Sequence, residues 1–328
     1  MPSSPALVSI VTPFHDEERG VAAYYESIRR TIDALAGTRF EVICVDDGSA
    51  DGTLQQLREL VQKDARFRVI ELSRNFGKEA ALTAGFDVAR GDAVIPIDAD
   101  LQDPPDLIGA MLAAWQAGAD VVLARRTDRS ADSLLKRTAA AWFYRLHNRV
   151  SSIQIPENVG DFRLMNRASV EALRRLPEQQ RFMKGLFAWV GFRTRVIDYQ
   201  RQPRAAGNSK FSGWKLWNFA LEGITSFSTA PLRIWTYVGL VLAAVTLLYA
   251  LFIVTRTLIS GIDVPGYASL LVAILFLGAL QLISVGVLGE YIGRIYLESK
   301  QRPPYIVREV YESSRSPEPP AAAPRDAA

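Results

Sequence analysis

The segment Asp98-Ala99-Asp100-Leu101-Gln102-Asp103 follows the apolar run at residues 93–97 directly. Paired carboxylates at the end of a buried strand suit Mg²⁺ or Mn²⁺ bridging a diphosphate, because hard cations take oxygen ligands. Ligand sites of open α/β sheets also gather outside the carboxyl ends of the strands. A solvated acidic turn would carry the same residues, and Asp-x-Asp alone does not separate the two readings. Two further strand ends supply carboxylates: Asp16, Glu17 and Glu18 after residues 8–11, and Asp46 and Asp47 after residues 41–45. In a parallel sheet all of these line one edge, where they repel one another unless a cation or hydrogen-bond donors are present. The sequence contains neither Gly-x-Gly-x-x-Gly nor a P-loop, so neither a dinucleotide cradle nor a Walker site is supported.

The elements that must position these groups follow from hydrophobic patterning. Before residue 160 the chain alternates strand and helix, which predicts a parallel sheet with helical crossovers. Strands are expected at 8–11, 41–45, 68–72, 93–97 and 121–123. Helices are expected at 24–35, 50–63, 79–89 and 106–117.

The chain has 328 residues and is 49% hydrophobic, enough for a full core, but the apolar residues are unevenly spread. Residues 234–255 and 267–289 contain no charged side chain, and each is long enough to span a hydrocarbon layer of ~30 Å. Both read as transmembrane helices. Gln281 is expected to face the partner helix, with Gly278, Ala279, Ser284 and Gly286 permitting close packing. Arg204, Lys210, Lys215 and Arg233 precede the first span; Arg294, Lys300, Arg302 and Arg308 follow the second. This bias places both termini on the cytoplasmic side. No secretory leader is evident in the first residues. The lone Cys44 excludes an intrachain disulfide and reads as a core residue. A net charge of +3 is too small to argue for nucleic acid. Residues 211–228 place Trp214, Trp217, Leu221 and Ile224 on one helical face, as an interfacial amphipathic helix would. A second such helix is expected at 291–300, and the Pro- and Ala-rich tail from Ser313 is expected to be disordered.

Several segments together resemble the family 2 inverting glycosyltransferases of GT-A fold. They are Pro13-Phe14-His15-Asp16-Glu17, Asp46-Asp47-Gly48-Ser49 with Asp51-Gly52-Thr53, Asn75-Phe76-Gly77-Lys78, and Asp98-Ala99-Asp100-Leu101-Gln102. Gly160-Asp161-Phe162-Arg163, the loop from Arg204 to Lys210 and the two spans narrow the resemblance to the polyisoprenyl-phosphate glycosyltransferases. The bacterial bactoprenol glucosyltransferases are the nearest branch. The resemblance implies an α/β fold: a GT-A domain with a mostly parallel sheet at 1–210, an interfacial helix at 211–233 and two transmembrane helices at 234–290. A cytoplasmic juxtamembrane segment at 291–312 and a tail at 313–328 complete the expected organisation.

Site residues follow from the same resemblance. Pro13, His15, Glu17, Asp46, Lys78, Asp98, Ala99 and Arg126 match positions that hold the nucleotide sugar, His15 standing where the family usually has tyrosine. Asp98, Asp100 and Gln102 match the metal-and-diphosphate site, for Mg²⁺ or Mn²⁺. Arg163, like Arg126, matches a basic position facing phosphate or sugar. Arg204, Ser209 and Lys210 match the loop that closes over donor and acceptor phosphates. Asp161, expected beside Asp100 and Arg163 in catalysis, is either an acid/base or acceptor-positioning group, or an ion-pair partner of Arg163 or Arg167.

The expected activity is transfer of one sugar, glucose from UDP-glucose, to polyprenyl (undecaprenyl) phosphate at the cytoplasmic face of a bacterial membrane, with inversion. GDP-mannose or a UDP-aminoarabinose donor, a processive polysaccharide synthase, and a non-catalytic scaffold recruiting a flippase are the alternatives. The expected partners are therefore a nucleotide sugar, the lipid phosphate and membrane lipid. Small residues in the second span allow contacts between subunits of a homo-oligomer and equally within one chain.

Overall fold

The computed structural model describes residues 6–127, 159–179, 181–199, 230–260 and 266–313. These fall into two units, one holding the sheet, its helices and the chain from Pro303 onward, the other holding two long helices. The first unit is built on an eight-stranded mixed sheet of order β7-β5-β6-β4-β1-β2-β3-β8. The strands are β1 (Leu7–Phe14), β2 (Arg39–Asp46), β3 (Phe67–Leu72), β4 (Ala93–Pro96), β5 (Val121–Arg126), β6 (Val159–Asn166), β7 (Thr194–Tyr199) and β8 (Val307–Tyr311). Helices α1 (Val21–Ala34), α2 (Thr53–Lys63), α3 (Lys78–Val88) and α4 (Leu107–Gln116) cross between the first five strands, as the alternating pattern predicts. Helices α5 (Arg167–Arg174) and α6 (Met183–Val190) follow β6.

The centre of the sheet, β3-β2-β1-β4, is parallel, so β1, β2 and β4 end at one edge. Near-continuous apolar runs such as Val8 to Val11 and Val42 to Val45 are what a strand buried on both faces requires. The core between β1, β2 and α1 is closed by Phe14 and Tyr24, whose rings meet edge to face at 5.1 Å, with the Tyr24 hydroxyl 2.5 Å from Thr12 Oγ1. Gly85 lets α3 lie on β1: a Cβ there would stand 2.2 Å from Val11 Cγ1. That close approach seats the helix whose first residue is Lys78.

Two departures from an all-parallel sheet matter for the site. Strand β6 runs antiparallel between β4 and β5, pairing Ala93 with Asn166 and Val94 with Met165. Its first residues therefore lie at the edge where β4 ends. Strand β8 adds antiparallel to β3, with Val69 opposite Tyr311 and Leu72 opposite Val307. Residues 291–312, expected as one juxtamembrane segment beginning with a separate helix, instead continue the preceding helix to Ser299 and then add a strand to this sheet.

The second unit contains α7 (Ala230–Ser260) and α8 (Tyr267–Ser299). Among the described residues one stretch, Phe276–Ser299, is long and apolar enough to cross a membrane, and α7 carries a shorter apolar stretch at Tyr237–Tyr249. The expected interfacial helix at 211–228 lies outside the described residues.

Candidate functional site

The end of β1, the loops after β1, β2 and β4, and the loop that leads into α3 bound a cleft of about 300 Å³ at the carboxyl edge of the sheet. Pro13, His15, Glu17, Lys78, Asp98, Ala99 and Asp100, all expected in the site, line it together with Asp47, Asn75 and Gly77. The loop after β1 is tied to the loop after β2. The backbone N–H groups of Asp16, Glu17 and Glu18 donate to Ser49 Oγ, Thr53 Oγ1 and Asp51 Oδ2 at 3.1, 2.9 and 3.2 Å. Asp51 is itself half of an Asx turn onto Thr53, with a 3.0 Å bond to its N–H.

The His15 ring is fixed on both sides. Its Nδ1 lies 3.0 Å from the Asp47 carbonyl and its Nε2 lies 2.7 Å from the Asn75 side-chain nitrogen. An amide nitrogen only donates, so Nε2 accepts and the ring hydrogen sits on Nδ1. Asp47 clamps the next loop: its carboxylate accepts the N–H groups of Phe76 and Gly77 at 2.7 and 2.9 Å. Gly77 adopts φ +98°, a conformation that favours glycine. Gly48, at φ +64°, faces the same loop, and a Cβ there would stand 2.5 Å from the Arg74 carbonyl carbon. Asp47, expected only as one of the carboxylates at the sheet edge, and Asn75, expected only within a motif, close the loop that delivers Lys78.

Lys78 is the electrostatic centre. Its Nζ lies 2.7 Å from Asp98 Oδ1 and 2.7 Å from Asp161 Oδ2, so it joins the end of β4 to the start of β6. The side chain is 41% exposed along its length, but its ammonium end is packed between the two carboxylates, the Asp161 side chain being only 14% exposed. Burial alone would lower the ammonium pKa; Asp161 and Asp98 outweigh it and hold the group well above its usual range. Burial alone would raise Asp161, yet Lys78, Lys184 and Arg163 pull it down to about 2. Burial, with the charge of Asp161, raises Asp98 against the opposing effect of Lys78. The partner of Asp161 is thus Lys78, rather than the side chain of Arg163 or Arg167 that the sequence offered. Arg167 pairs with Glu171 at 3.3 Å.

Arg163 also differs from its expected phosphate-facing position. It is 5% exposed and its guanidinium lies 3.9 Å over the Phe187 ring. Its N–H groups donate to the carbonyls of Gly160 and Asp161 at 2.7 and 3.3 Å. Burial lowers its pKa to about 10 despite Asp161 and Glu79. Its donors hold the β6 start in shape instead of facing the cleft. Arg126 is held by Tyr199, whose hydroxyl accepts from Nε at 3.2 Å, and lies 3.9 Å from Asp103. Arg204, Ser209 and Lys210 lie outside the described residues.

Glu79 was not signalled by the sequence. Burial and the charge of Asp161 push its carboxyl up to about 8 against Lys78 and Lys184, and it accepts the Met183 N–H at the start of α6. A carboxyl raised in the fold is protonated there while the unfolded chain is ionised, so its stabilising effect is full below about pH 4.5 and is lost as pH rises through about 8. The melting temperature of the wild type is expected to fall between pH 6 and 9, and that of Glu79→Gln to fall less. Parallel pH curves of the two chains in thermal denaturation would remove this assignment.

Asp46 and Gln102 each hold a buried oxygen without a partner. Asp46 is 1% exposed; Oδ2 accepts the Ser49 N–H at 3.2 Å while Oδ1 is buried with no partner, and burial raises its pKa. Asp100 Oδ1 accepts the Gln102 N–H at 3.1 Å across Leu101, whose φ of +54° is a strained conformation for a bulky residue. Gln102 is 8% exposed and its Oε1 is buried without a partner. Among the described residues no group of three or more His, Cys, Asp or Glu side chains forms a metal cage. A carboxylate and a neighbouring unsatisfied amide oxygen do fit a cation that draws its other ligands from phosphates and water.

Residues 9–174 match Glycosyl transferase family 2, and residues 230–295 match the GtrB C-terminal hairpin. The chain is 54% identical over 301 residues to the bactoprenol glucosyl transferase of Shigella phage SfV, covering 92% of this chain and 98% of that one. It is 52% identical over 303 residues to the prophage bactoprenol glucosyl transferase homolog of Escherichia coli K12, covering 92% and 99%. Among solved structures, the Mycobacterium tuberculosis glucosyl-3-phosphoglycerate synthase with Mn²⁺ and UDP aligns at a TM-score of 0.46 and 18% identity, covering 67% of this chain and 78% of that one.

Proposed function

The chain belongs to glycosyl transferase family 2 and is a glycosyltransferase, and we propose that it moves one glucose from UDP-glucose to polyprenyl phosphate at the cytoplasmic face of a bacterial membrane. The observation that carries this reading is the Lys78 bridge between Asp98 and Asp161 at a cleft lined by Lys78, Asp98 and Asp100. The buried, unpartnered Asp46 Oδ1 has an acceptor to offer a base N–H. Asp100 and Gln102 would hold Mg²⁺ or Mn²⁺, which when bound neutralises charge on the leaving diphosphate. Without such a cation a diphosphate beside Asp98 and Asp100 would be repelled.

Inversion requires one in-line displacement, with the lipid phosphate attacking the anomeric carbon as the nucleoside diphosphate leaves. A phosphate monoester oxygen is already anionic near neutral pH, so no base is needed. Asp161, pulled down to about 2, is a fixed anion rather than a proton acceptor under those conditions. Its role is then to orient, with catalysis resting on placement and charge.

Chain topology supports membrane delivery of the acceptor. Strand β7 ends at Tyr199, opposite Arg126, and β8 begins at Val307, opposite Leu72, so the chain leaves and re-enters the sheet at its carboxyl edge. A sheet lies on one side of a membrane, so the intervening chain crosses an even number of times, which supports two spans within the matched hairpin. The test is a donor screen with purified full-length protein in detergent, Mg²⁺ and undecaprenyl phosphate, followed by mass analysis of the lipid. UDP-glucose is expected to yield a single-hexose lipid phosphate. Consumption of GDP-mannose instead would overturn the donor, and a ladder of products would overturn single transfer.

A further inference from the structure

The loop that borders the cleft and the helix α3 that follows it form one segment, whose two ends are tied to residues 305 and 306. The segment from Ser73 through α3 carries Asn75, the Phe76 and Gly77 amides, and Lys78, each with a contact described above. At its start, the Ser73 N–H donates to the Ile306 carbonyl at 2.9 Å. At its far end, the Tyr305 hydroxyl donates to Asp87 Oδ2, in the last turn of α3, at 2.7 Å. Next to Ser73, the buried Glu71 accepts the Tyr311 hydroxyl at 2.7 Å and pairs with Arg308 at 3.1 Å. Arg58 of α2 lies 4.6 Å over the Tyr311 ring. A short edge strand with mostly exposed side chains adds little to a core, yet Tyr305 and Ile306 just before it hold the two ends of one loop-and-helix segment, and its own Arg308 and Tyr311 hold Glu71 two residues ahead of that segment.

We propose that residues 305–311 are a positioning element of the donor site: they hold the Ser73–Lys78 loop at the height where Lys78 meets Asp98 and Asp161, so nucleotide affinity depends on them although they touch no part of the cleft. The inference rests on the cleft being the nucleotide site. Tyr305→Phe, Tyr311→Phe and the double variant in the full-length chain remove one or both hydroxyl contacts without removing the rings. UDP affinity, donor KM and kcat are then measured beside Ile28→Val, a destabilised control in α1. The double variant is expected to weaken UDP binding and raise donor KM about 10-fold with kcat within about 2-fold, the loss typical of hydrogen bonds to charged groups. The control is expected to lose melting temperature with KM unchanged. Unchanged UDP affinity and KM in the double variant, with only a lower melting temperature, would overturn the proposal. If Tyr311→Phe folds poorly, Tyr305→Phe alone decides it by the same split. A wild-type chain that binds neither UDP nor GDP would overturn the nucleotide-site reading itself, an outcome separate from equal binding by all variants.

Discussion

Asp100→Ala is expected to lower sugar transfer to the lipid by about 10³-fold, the scale of removing one group preorganised on developing charge. Asp100 lies in the cleft, its neighbour Gln102 has a buried oxygen without a partner, and Asp98 is already committed to Lys78. Asp100, which lines the cleft near that oxygen in sequence, is the carboxylate we propose as the cation ligand. The Mg²⁺ dependence of nucleotide affinity should collapse with it. Calorimetric titration of UDP with and without Mg²⁺ separates this from general damage: wild type should bind more tightly with the cation, and Asp100→Ala equally weakly in both. Undiminished lipid glycosylation by the variant would sink the metal-site argument and favour a scaffold.

The placement of Asp100 was legible because its signal is local. An apolar run too short for a helix must be a strand, and a carboxylate just past its end must lie at the sheet edge. The same logic located Asp46, Asp98 and the β1 loop, and put the four crossover helices within a few residues of their observed ends. What it could not supply was pairing at a distance. The sequence Val307-Arg308-Glu309-Val310-Tyr311 alternates weakly, follows an apolar helix and reads as part of a juxtamembrane segment; only the open edge of β3 makes it a strand. Arg163 has a charge that suggests a ligand, but the Phe187 ring and two backbone carbonyls that hold it arrive from another element and from the start of its own strand. Glu79 was hidden for a related reason. It sits in the first turn of a helix, where an acidic residue is ordinary, and its unusual state comes from burial and from Asp161, more than 80 residues away along the chain.

Lys78→Met keeps the length of the side chain and removes its charge, leaving Asp98 and Asp161 without the ammonium that both contact. Removing one partner from a closely packed ion cluster leaves the others uncompensated, which costs more than the pair itself contributes. Transfer is expected to fall about 10²-fold, because the β4 end and the β6 start lose the group that holds them together. Asp161 stays ionised in the wild type down to about pH 2, so it contributes no acid limb to activity near neutrality. Without Lys78 its pKa rises, and the acid limb of kcat should move to higher pH, with two overlapping steps if the carboxylates titrate as a pair. Adding Asp161→Asn removes one of the opposed charges, so the double variant should lose little more than the worse single one and its acid limb should retreat. A double variant whose losses simply multiply would mean that Lys78 and Asp161 act separately, Lys78 on the diphosphate and Asp161 on the acceptor. The bridge would then belong only to the donor-free enzyme, and the lysine's catalytic partner would be the departing phosphate.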